Sequence, residues 1–335
     1  MRMEKNIDCD RSVILTTRVR YARNIEDYPF DLSSSQAMRS ELLEKVRIAL
    51  GNKFLANDMS SLDANARLAL CEGHKISPIF MNQAIGTLFS DEERGIYIMV
   101  PEEDHIRLQV IGDGYCPETV MERANTVLAD LSDKLRFSFN SRLGYLTRCP
   151  TNLGYGLRLS VMAFLPGLTT VGDIARLSDS LGGLGFNLRG MYGEGTSSEG
   201  FLYQISNRYS LGSTENEILL RFVETIGRVI EAELKARAHI DRDLILDTAG
   251  RAYGIMAYAG RISYDEFLKH YASLRLGYAL QLSLPESCNI HTLDALLTYL
   301  APGQITCRYH CKNAEDRDRA RADRLRREMK GELNE

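Results

Sequence analysis

The chain has no run of about 18 apolar residues, the length a membrane-spanning helix needs, so no membrane span is expected. It has no large excess of either charge: 41 Lys and Arg against 45 Asp and Glu give −4 at pH 7. That balance argues against a general nucleic-acid binder. Residues 1–9 lack an apolar stretch, so no secretory signal is read there. Cysteine is scarce and unpaired in pattern. Seven cysteines fit a reducing cytoplasm better than a disulfide framework. Cys288, His291, Cys307, His310 and Cys311 match metal-ligand spacings only loosely, and no metal site is read from them. Two familiar nucleotide-binding devices are also missing. There is no Gly-x4-Gly-Lys-(Ser/Thr) loop and no Gly-rich loop followed by His-Arg-Asp, and the glycine-rich stretch 182–195 does not fit a dinucleotide fingerprint.

What is present is an ordinary globular composition, 44% hydrophobic and 26% charged over 335 residues, enough for one large domain and a smaller one. The first 240 or so residues mix strand and helix patterns, and the remainder reads as helical. Val13 to Asn24 alternates as a strand, which puts Arg18 and Arg20 on one face. Ile96 to Val100 and Ile106 to Ile111 are two more strands, separated by the acidic turn Glu102-Glu103-Asp104-His105. In the second, Ile106, Leu108 and Val110 share one face, and Arg107 and Gln109 the other. Helices are read at Glu118 to Leu135 and Thr214 to Arg237, the latter opened by a Thr214/Glu217 capping box. A boundary is placed near residues 238–242, giving domains 1–240 and 241–335. Beyond it, Leu244 to Tyr258, Ser263 to Leu276, His291 to Leu300 and the charged stretch Ala314 to Lys330 read as helices.

The densest chemistry lies in Cys149-Pro150-Thr151-Asn152-Leu153-Gly154-Tyr155-Gly156-Leu157-Arg158. Pro fixes φ and the glycines permit conformations closed to other residues, so the segment is a shaped loop holding a thiol and a permanent cation. It resembles the Cys-Pro-(Thr/Ser)-Asn-Leu-Gly loop of the phosphagen (ATP:guanido) kinases. Three further segments resemble that family in the same order. They are Thr17-Arg18-Val19-Arg20-Tyr21-Ala22-Arg23-Asn24, Glu102-Glu103-Asp104-His105-Ile106-Arg107, and Arg189-Gly190-Met191-Tyr192-Gly193-Glu194-Gly195. Segments 143–147, 158–162 and 190–196 are closest to the bacterial protein-arginine kinase branch. On this resemblance, the chain is expected to lack the extra N-terminal helical domain of creatine and arginine kinases.

The resemblance implies an α+β fold: a phosphagen-kinase-type, glutamine-synthetase-like catalytic domain with an antiparallel sheet flanked by helices, followed by a C-terminal helical domain. It implies ATP with Mg2+ as the cofactor, the metal held mainly through phosphates and water. Carried over by position, Arg18, Arg20, Arg107, Arg158 and Arg189 hold the phosphates, with His74 near the nucleotide. Guanidinium forks suit that task because they bind phosphate oxygens in pairs and stay charged. Glu103 and Glu194 grip the acceptor guanidinium, Glu103 being the base, with Glu102 and Asp104 in support. Such a base is needed because a protonated guanidinium nitrogen is a poor nucleophile. Cys149 aids as a thiolate beside the acceptor, with Arg148 favouring that form. On the last helix, Arg317, Asp318, Arg321 and Ala322 resemble an allosteric phosphoarginine-binding motif. The competing reading of that helix is a solvated surface laced by Asp318–Arg321 and Arg319–Asp323 pairs.

The implied activity is ATP-dependent phosphorylation of arginine side chains in proteins, in the cytoplasm, marking them for a Clp-type protease in a stress response. Partners would include an activator protein and a second copy in a homodimer, with no membrane or direct nucleic-acid binding. A small-molecule guanidino kinase and a catalytically silent phosphoarginine-binding adaptor remain alternatives. Two departures stand out. Pro101 replaces an Asn and removes a hydrogen bonder, and Tyr155 replaces a Thr and is expected to add bulk where the loop approaches the nucleotide.

Overall fold

The computed structural model describes residues 10–32, 35–191 and 199–332. Its frame is an eight-stranded antiparallel sheet. In chain order the elements are β1 (Ile14–Arg23), α1 (Gln36–Leu50), β2 (Leu55–Asp58), α2 (Ala64–Glu72), α3 (Pro78–Met81), β3 (Thr87–Asp91), β4 (Ile96–Val100) and β5 (Ile106–Asp113). There follow α4 (Pro117–Ser132), the short pair β6 (Phe139–Asn140) and β7 (Gly144–Tyr145), β8 (Leu157–Phe164), α5 (Pro166–Thr170), α6 (Ile174–Gly183), β9 (Phe186–Gly190), β10 (Leu202–Asn207) and α7 (Glu215–Arg237). The strand order is β2-β3-β4-β5-β1-β8-β10-β9, which puts β1 and its two neighbours in the middle.

Period-two alternation decides which face is which. Val19 and Tyr21 of β1, Leu108 and Val110 of β5, and Leu159 and Val161 of β8 are buried in one apolar core. Against them pack Val120, Ala124 and Val127 of α4 and Ile218, Phe222 and Ile226 of α7, the apolar stripes that the 3.6-residue period creates. Each Val, Leu, Ile or Phe side chain among them contributes about 1.5–3 kcal/mol on removal from water. The residues in between, Arg18, Arg20, Arg107, Gln109 and Arg158, are thereby forced onto the other face. The Thr214/Glu217 capping box forms as the sequence predicts, both side chains closing on backbone N–H groups.

The C-terminal helices are α8 (Arg242–Tyr258), α9 (Tyr264–Ala279), α10 (Ile290–Tyr299), α11 (Pro302–Tyr309) and α12 (Ala314–Met329). Asp241, Ser263, Asn289 and Asn313 cap the first, second, third and last of these by accepting from first-turn N–H groups. Pro302 opens α11 at a position where its missing N–H costs nothing.

This helical core also takes in Leu15, Phe164 and Leu202 from the sheet. Two buried arginines mark the seam. Arg237 of α7 pairs with Glu233 (2.6 Å) and donates to the carbonyls of Phe164 (3.0 Å) and Ser12 (3.2 Å). Arg275 of α9 pairs with Asp294 (2.7 Å), donates to the Ser12 carbonyl (2.8 Å), and lies 4.5 Å from the Phe164 ring centre. No helix among the described residues is long and apolar enough to cross a membrane.

Candidate active site

The polar face of the sheet gathers arginines from four strands. Register sets Arg20 directly between Gln109 and Arg158, and Arg18 between Ile111 and Ser160, while Arg107 lies beside Ala22. Arg189 of β9 lies opposite Gln204 of β10. Arg158 is steadied by Ser206 of β10, whose hydroxyl accepts from its Nε (3.2 Å) and Nη2 (2.8 Å). Like charges facing each other across strands are unfavourable, and these groups carry the consequence. Burial first, then Arg107 and Arg158, lowers the Arg18 pKa to about 10. Arg20 is pushed well below its ordinary value by burial and then by Arg18, Arg107 and Arg158, with Glu102 opposing. Neither Arg18 nor Arg20 has a side-chain hydrogen-bond partner among the described residues. Donors crowded in this way call for a polyanion.

Arg18, Arg20 and Arg107 open onto a cavity of about 600 Å3, bounded also by Gln109 on the sheet and by the loop running from Glu72 to Pro78, while Arg189 lines neither this cavity nor the smaller one beside it. His74 sits in that loop with φ of 57°, its carbonyl accepting from Gln109 Nε2 (2.7 Å). Burial, then the charge of Arg18, lowers its pKa to about 4, so the imidazole is neutral at physiological pH. The far side of the cavity is made by the C-terminal helical domain.

A second, smaller cavity of about 150 Å3 shares Arg20 and Arg107 with the first and adds Glu103, Cys149, Asn152 and Arg158. The acidic turn divides its labour here. Glu102 is buried, pairs with Arg107 Nη1 (2.7 Å) and accepts from the Ser77 hydroxyl. Asp104 is buried and accepts from Asn24 Nδ2 (2.8 Å), the Arg148 N–H (2.7 Å) and Asn152 Nδ2 (3.3 Å), so it pins both sides of the Cys149 loop. His105 accepts from the Ile25 N–H at Nδ1 (2.9 Å), which leaves Nε2–H to donate to the Pro29 carbonyl (2.9 Å). Glu103, half-buried between them, has no side-chain hydrogen bond among the described residues. Burial, then Glu102 and Asp104, raises its pKa against the pull of Arg107 and Arg148.

The Cys149 thiol lies 3.0 Å from Thr151 Oγ1 and faces the small cavity. The guanidinium of Arg148, next to Cys149 in the chain, pairs with Asp31 at 3.4 Å. Glycine is required at 156, where φ is +59° and a Cβ would meet the Ala22 carbonyl at 2.6 Å. Tyr155 departs from its expected effect. Its carbonyl accepts from buried Arg23 (2.8 Å), and its half-buried ring packs against the helix-side core and lines an outer groove. The added bulk therefore does not enter either cavity.

Glu194 lies outside the described residues. On α12, Arg321 is buried and held through its Nε and Nη1 groups. It donates from Nε to the Leu300 carbonyl (3.0 Å) and from Nη1 to the Ile262 carbonyl and Asp318 (both 2.8 Å). Arg317 is half-buried with no side-chain hydrogen bond among the described residues, and Ala322 is in the helical core. The Asp318–Arg321 pair forms, whereas Arg319 pairs with Glu315 (2.7 Å) rather than Asp323. The loose Cys/His set does not assemble: among the described residues no three His, Cys, Asp or Glu side chains could hold a metal. The six described cysteines are free.

Sequence reasoning missed Ser206 and Ser77, which carry no motif and reach the site only through strand pairing and a turn. Gln109 was findable, since it shares the alternating face with Arg107.

Two family models match. The ATP:guanido phosphotransferase C-terminal catalytic domain covers residues 36–236, and the protein-arginine kinase McsB C-terminal domain covers 242–335. The chain is 34% identical over 326 residues to a protein-arginine kinase of Caldanaerobacter subterraneus subsp. tengcongensis, spanning 94% of this chain and 96% of that one. It is 36% identical over 326 residues to a protein-arginine kinase of an Exiguobacterium species, spanning 95% and 92%. In structure it is similar to the duplicated taurocyamine kinase of Schistosoma mansoni with bound transition-state-analogue components. That match has a TM-score of 0.62 and 25% identity, and covers 76% of this chain and 36% of that longer one. A lombricine kinase shares the fold at TM-score 0.61 and 23% identity, covering 70% of each chain. With its arginine-lined cavity beside a carboxylate and a thiol, the chain belongs to the ATP:guanido phosphotransferase family, in the protein-arginine kinase branch.

Proposed function

We propose that the protein transfers the γ-phosphoryl group of ATP to arginine side chains of other proteins. The observation that carries this reading is one geometry: a fan of guanidinium groups, of which Arg18 and Arg20 have no side-chain hydrogen bond among the described residues, meeting the Glu103 carboxylate at a shared opening. In this assignment Arg18, Arg20, Arg107, Arg158 and Arg189 hold the phosphates and spread their charge over the transferring group, whose transition state is loose and planar. Neutral His74 adds no charge and abuts the nucleotide. Glu103 takes the proton of the attacking guanidinium nitrogen as the new N–P bond forms and ADP leaves. Its raised pKa suits a base. Glu194 would be the second carboxylate aligning the acceptor, which supplies rate through positioning. Cys149 beside the acceptor favours its cationic ground-state placement, and no bond to sulfur is formed.

Mg2+ would be held through the nucleotide's phosphate oxygens and water. The buried Glu102 is committed to Arg107 and Ser77, and the metal would neutralise charge between the phosphates. For α12 we assign phosphoarginine binding to Arg317, Asp318, Arg321 and Ala322. Arg317 is the donor with capacity to spare, while Arg321 holds the frame. A cytoplasmic setting, a homodimer, an activator protein and delivery of marked proteins to a Clp-type protease complete the proposal, supported by the resemblance to that branch.

The test is incubation with γ-labelled ATP and either free arginine or an unfolded arginine-rich protein. Label on protein arginine supports the assignment. Label on free arginine alone, or on neither, overturns it. Glu103→Gln should lower kcat by about 100-fold to 10,000-fold with ATP affinity retained, and unchanged turnover would remove Glu103 from the role of base.

A further inference from the structure

We propose that the C-terminal helical domain completes the nucleotide site: Tyr264, Leu297, Thr298 and Ala301 form the wall against which the purine ring packs. The inference rests on the ATP reading above and adds to it the side of the pocket that reads the base.

Direction along the cavity makes the argument. Arg20 and Arg107 border both the large cavity and the small one that holds Glu103 and Cys149. The phosphoryl group to be transferred must therefore sit at that shared opening. The remaining phosphates run back into the large cavity, toward Arg18 and away from Glu103. Whatever is attached to them reaches the end closed by the C-terminal domain. The lining changes character there, from guanidinium groups to Leu297, Ala301, Pro302 and the Tyr264 ring, with Ile76 and Met191 from the catalytic domain. A volume of about 600 Å3 exceeds what three phosphates need and lies within the usual range of about 300–1,000 Å3 for small-molecule sites. A flat apolar slot with few polar groups is what a purine ring requires. The Thr298 hydroxyl supplies one such group, with no hydrogen-bond partner among the described residues.

The wall is also held rigidly, as a recognition surface should be. The Tyr264 hydroxyl donates to the Leu297 carbonyl (2.8 Å). Buried Arg321 grips the Leu300 carbonyl (3.0 Å) just before Ala301. From the catalytic side, Glu72, two residues before His74, accepts from the N–H groups of Gly303 (2.9 Å) and Gln304 (3.1 Å) at the start of α11. Gln304 Nε2 returns a bond to the Ala69 carbonyl (2.7 Å). The loop carrying His74 and the turn carrying Ala301 are thus tied together across the cavity.

The experiment compares ATP with inorganic tripolyphosphate, which has the charge but no base, on the full-length protein by calorimetry. Thr298→Trp fills the base end from a half-buried position on the cavity wall. Leu297→Ala removes apolar wall from a buried one. The expected result is ATP binding weakened at least about tenfold in Thr298→Trp, with tripolyphosphate affinity within about twofold of wild type. Unchanged ATP affinity in Thr298→Trp, or equal loss for both ligands, overturns the inference. So does a wild-type protein that binds ATP no more tightly than tripolyphosphate. Leu297→Ala should weaken ATP selectively while thermal unfolding remains cooperative. Should that variant fail to fold, Thr298→Trp decides alone. Wild-type protein that binds neither ligand would overturn the kinase reading itself.

Discussion

Glu102→Gln tests whether the arginine face is an electrostatically strained surface awaiting a polyanion. The Glu102 side chain is only 2% exposed and meets Arg107, itself 20% exposed, at 2.7 Å. Its charge also opposes the depression of the Arg20 pKa by burial and the neighbouring cations. Glutamine keeps the shape and an acceptor for Ser77 but deletes the charge. Removing one partner of a buried pair costs about 3–5 kcal/mol, and the low end applies because Arg107 keeps some water. For a catalytic domain of about 200 residues, 3 kcal/mol lowers Tm by about 6–12 °C. Tripolyphosphate at about 100 times its Kd stabilises wild type by about 2.7 kcal/mol. It should stabilise Glu102→Gln by more, since the anion now meets the same cations without a competing carboxylate. The assay is thermal unfolding of both proteins across a tripolyphosphate titration, and the Tm gap should narrow as the site fills. A gap that stays constant or widens would refute the charge-balance argument and reduce Glu102 to a hydrogen-bonding residue.

Two other outcomes are expected. Because burial and its acidic neighbours raise the Glu103 pKa above 4.5, kcat/KM should fall as pH drops through that raised value. The acid limb should therefore lie above the ordinary glutamate range, and should vanish in Glu103→Gln. Glu233→Ala leaves the buried charge of Arg237 and the N–H groups of Gly167 and Leu168 without their acceptor, costing about 3–5 kcal/mol in denaturant unfolding. A loss under 1 kcal/mol would show that water replaces the carboxylate.

Local periodicity made much of this molecule legible. The alternation of Arg18 and Arg20 with Val19 and Tyr21 announces both the strand and its two faces, and the Thr214/Glu217 pair announces the start of α7. Pairing between distant segments is not written locally. Nothing near Arg20 says that Arg158 will lie beside it, because register is set by the whole sheet. Asp104 reaches residues 44 and 48 positions away, and its role as the staple of the Cys149 loop is invisible until the chain folds. Arg321 is the sharpest case. A helix so rich in charge reads as solvated, yet the groups that justify burying this guanidinium are the carbonyls of Leu300 and Ile262, which no sequence pattern reports.

The seam at Ser12 and Phe164 bears on how the two parts of the chain can be separated. One carbonyl, that of Ser12, is shared by an arginine from each side, and one ring is flanked by both. Cutting the chain after α7 would leave the Phe164 ring and the apolar side chains of Leu15 and Leu202 facing water, and would take away the Arg275 donor to the Ser12 carbonyl. The catalytic half is therefore not a detachable cassette. A graft of the helical part onto another sheet would have to bring Phe164 and the N-terminal turn along with it.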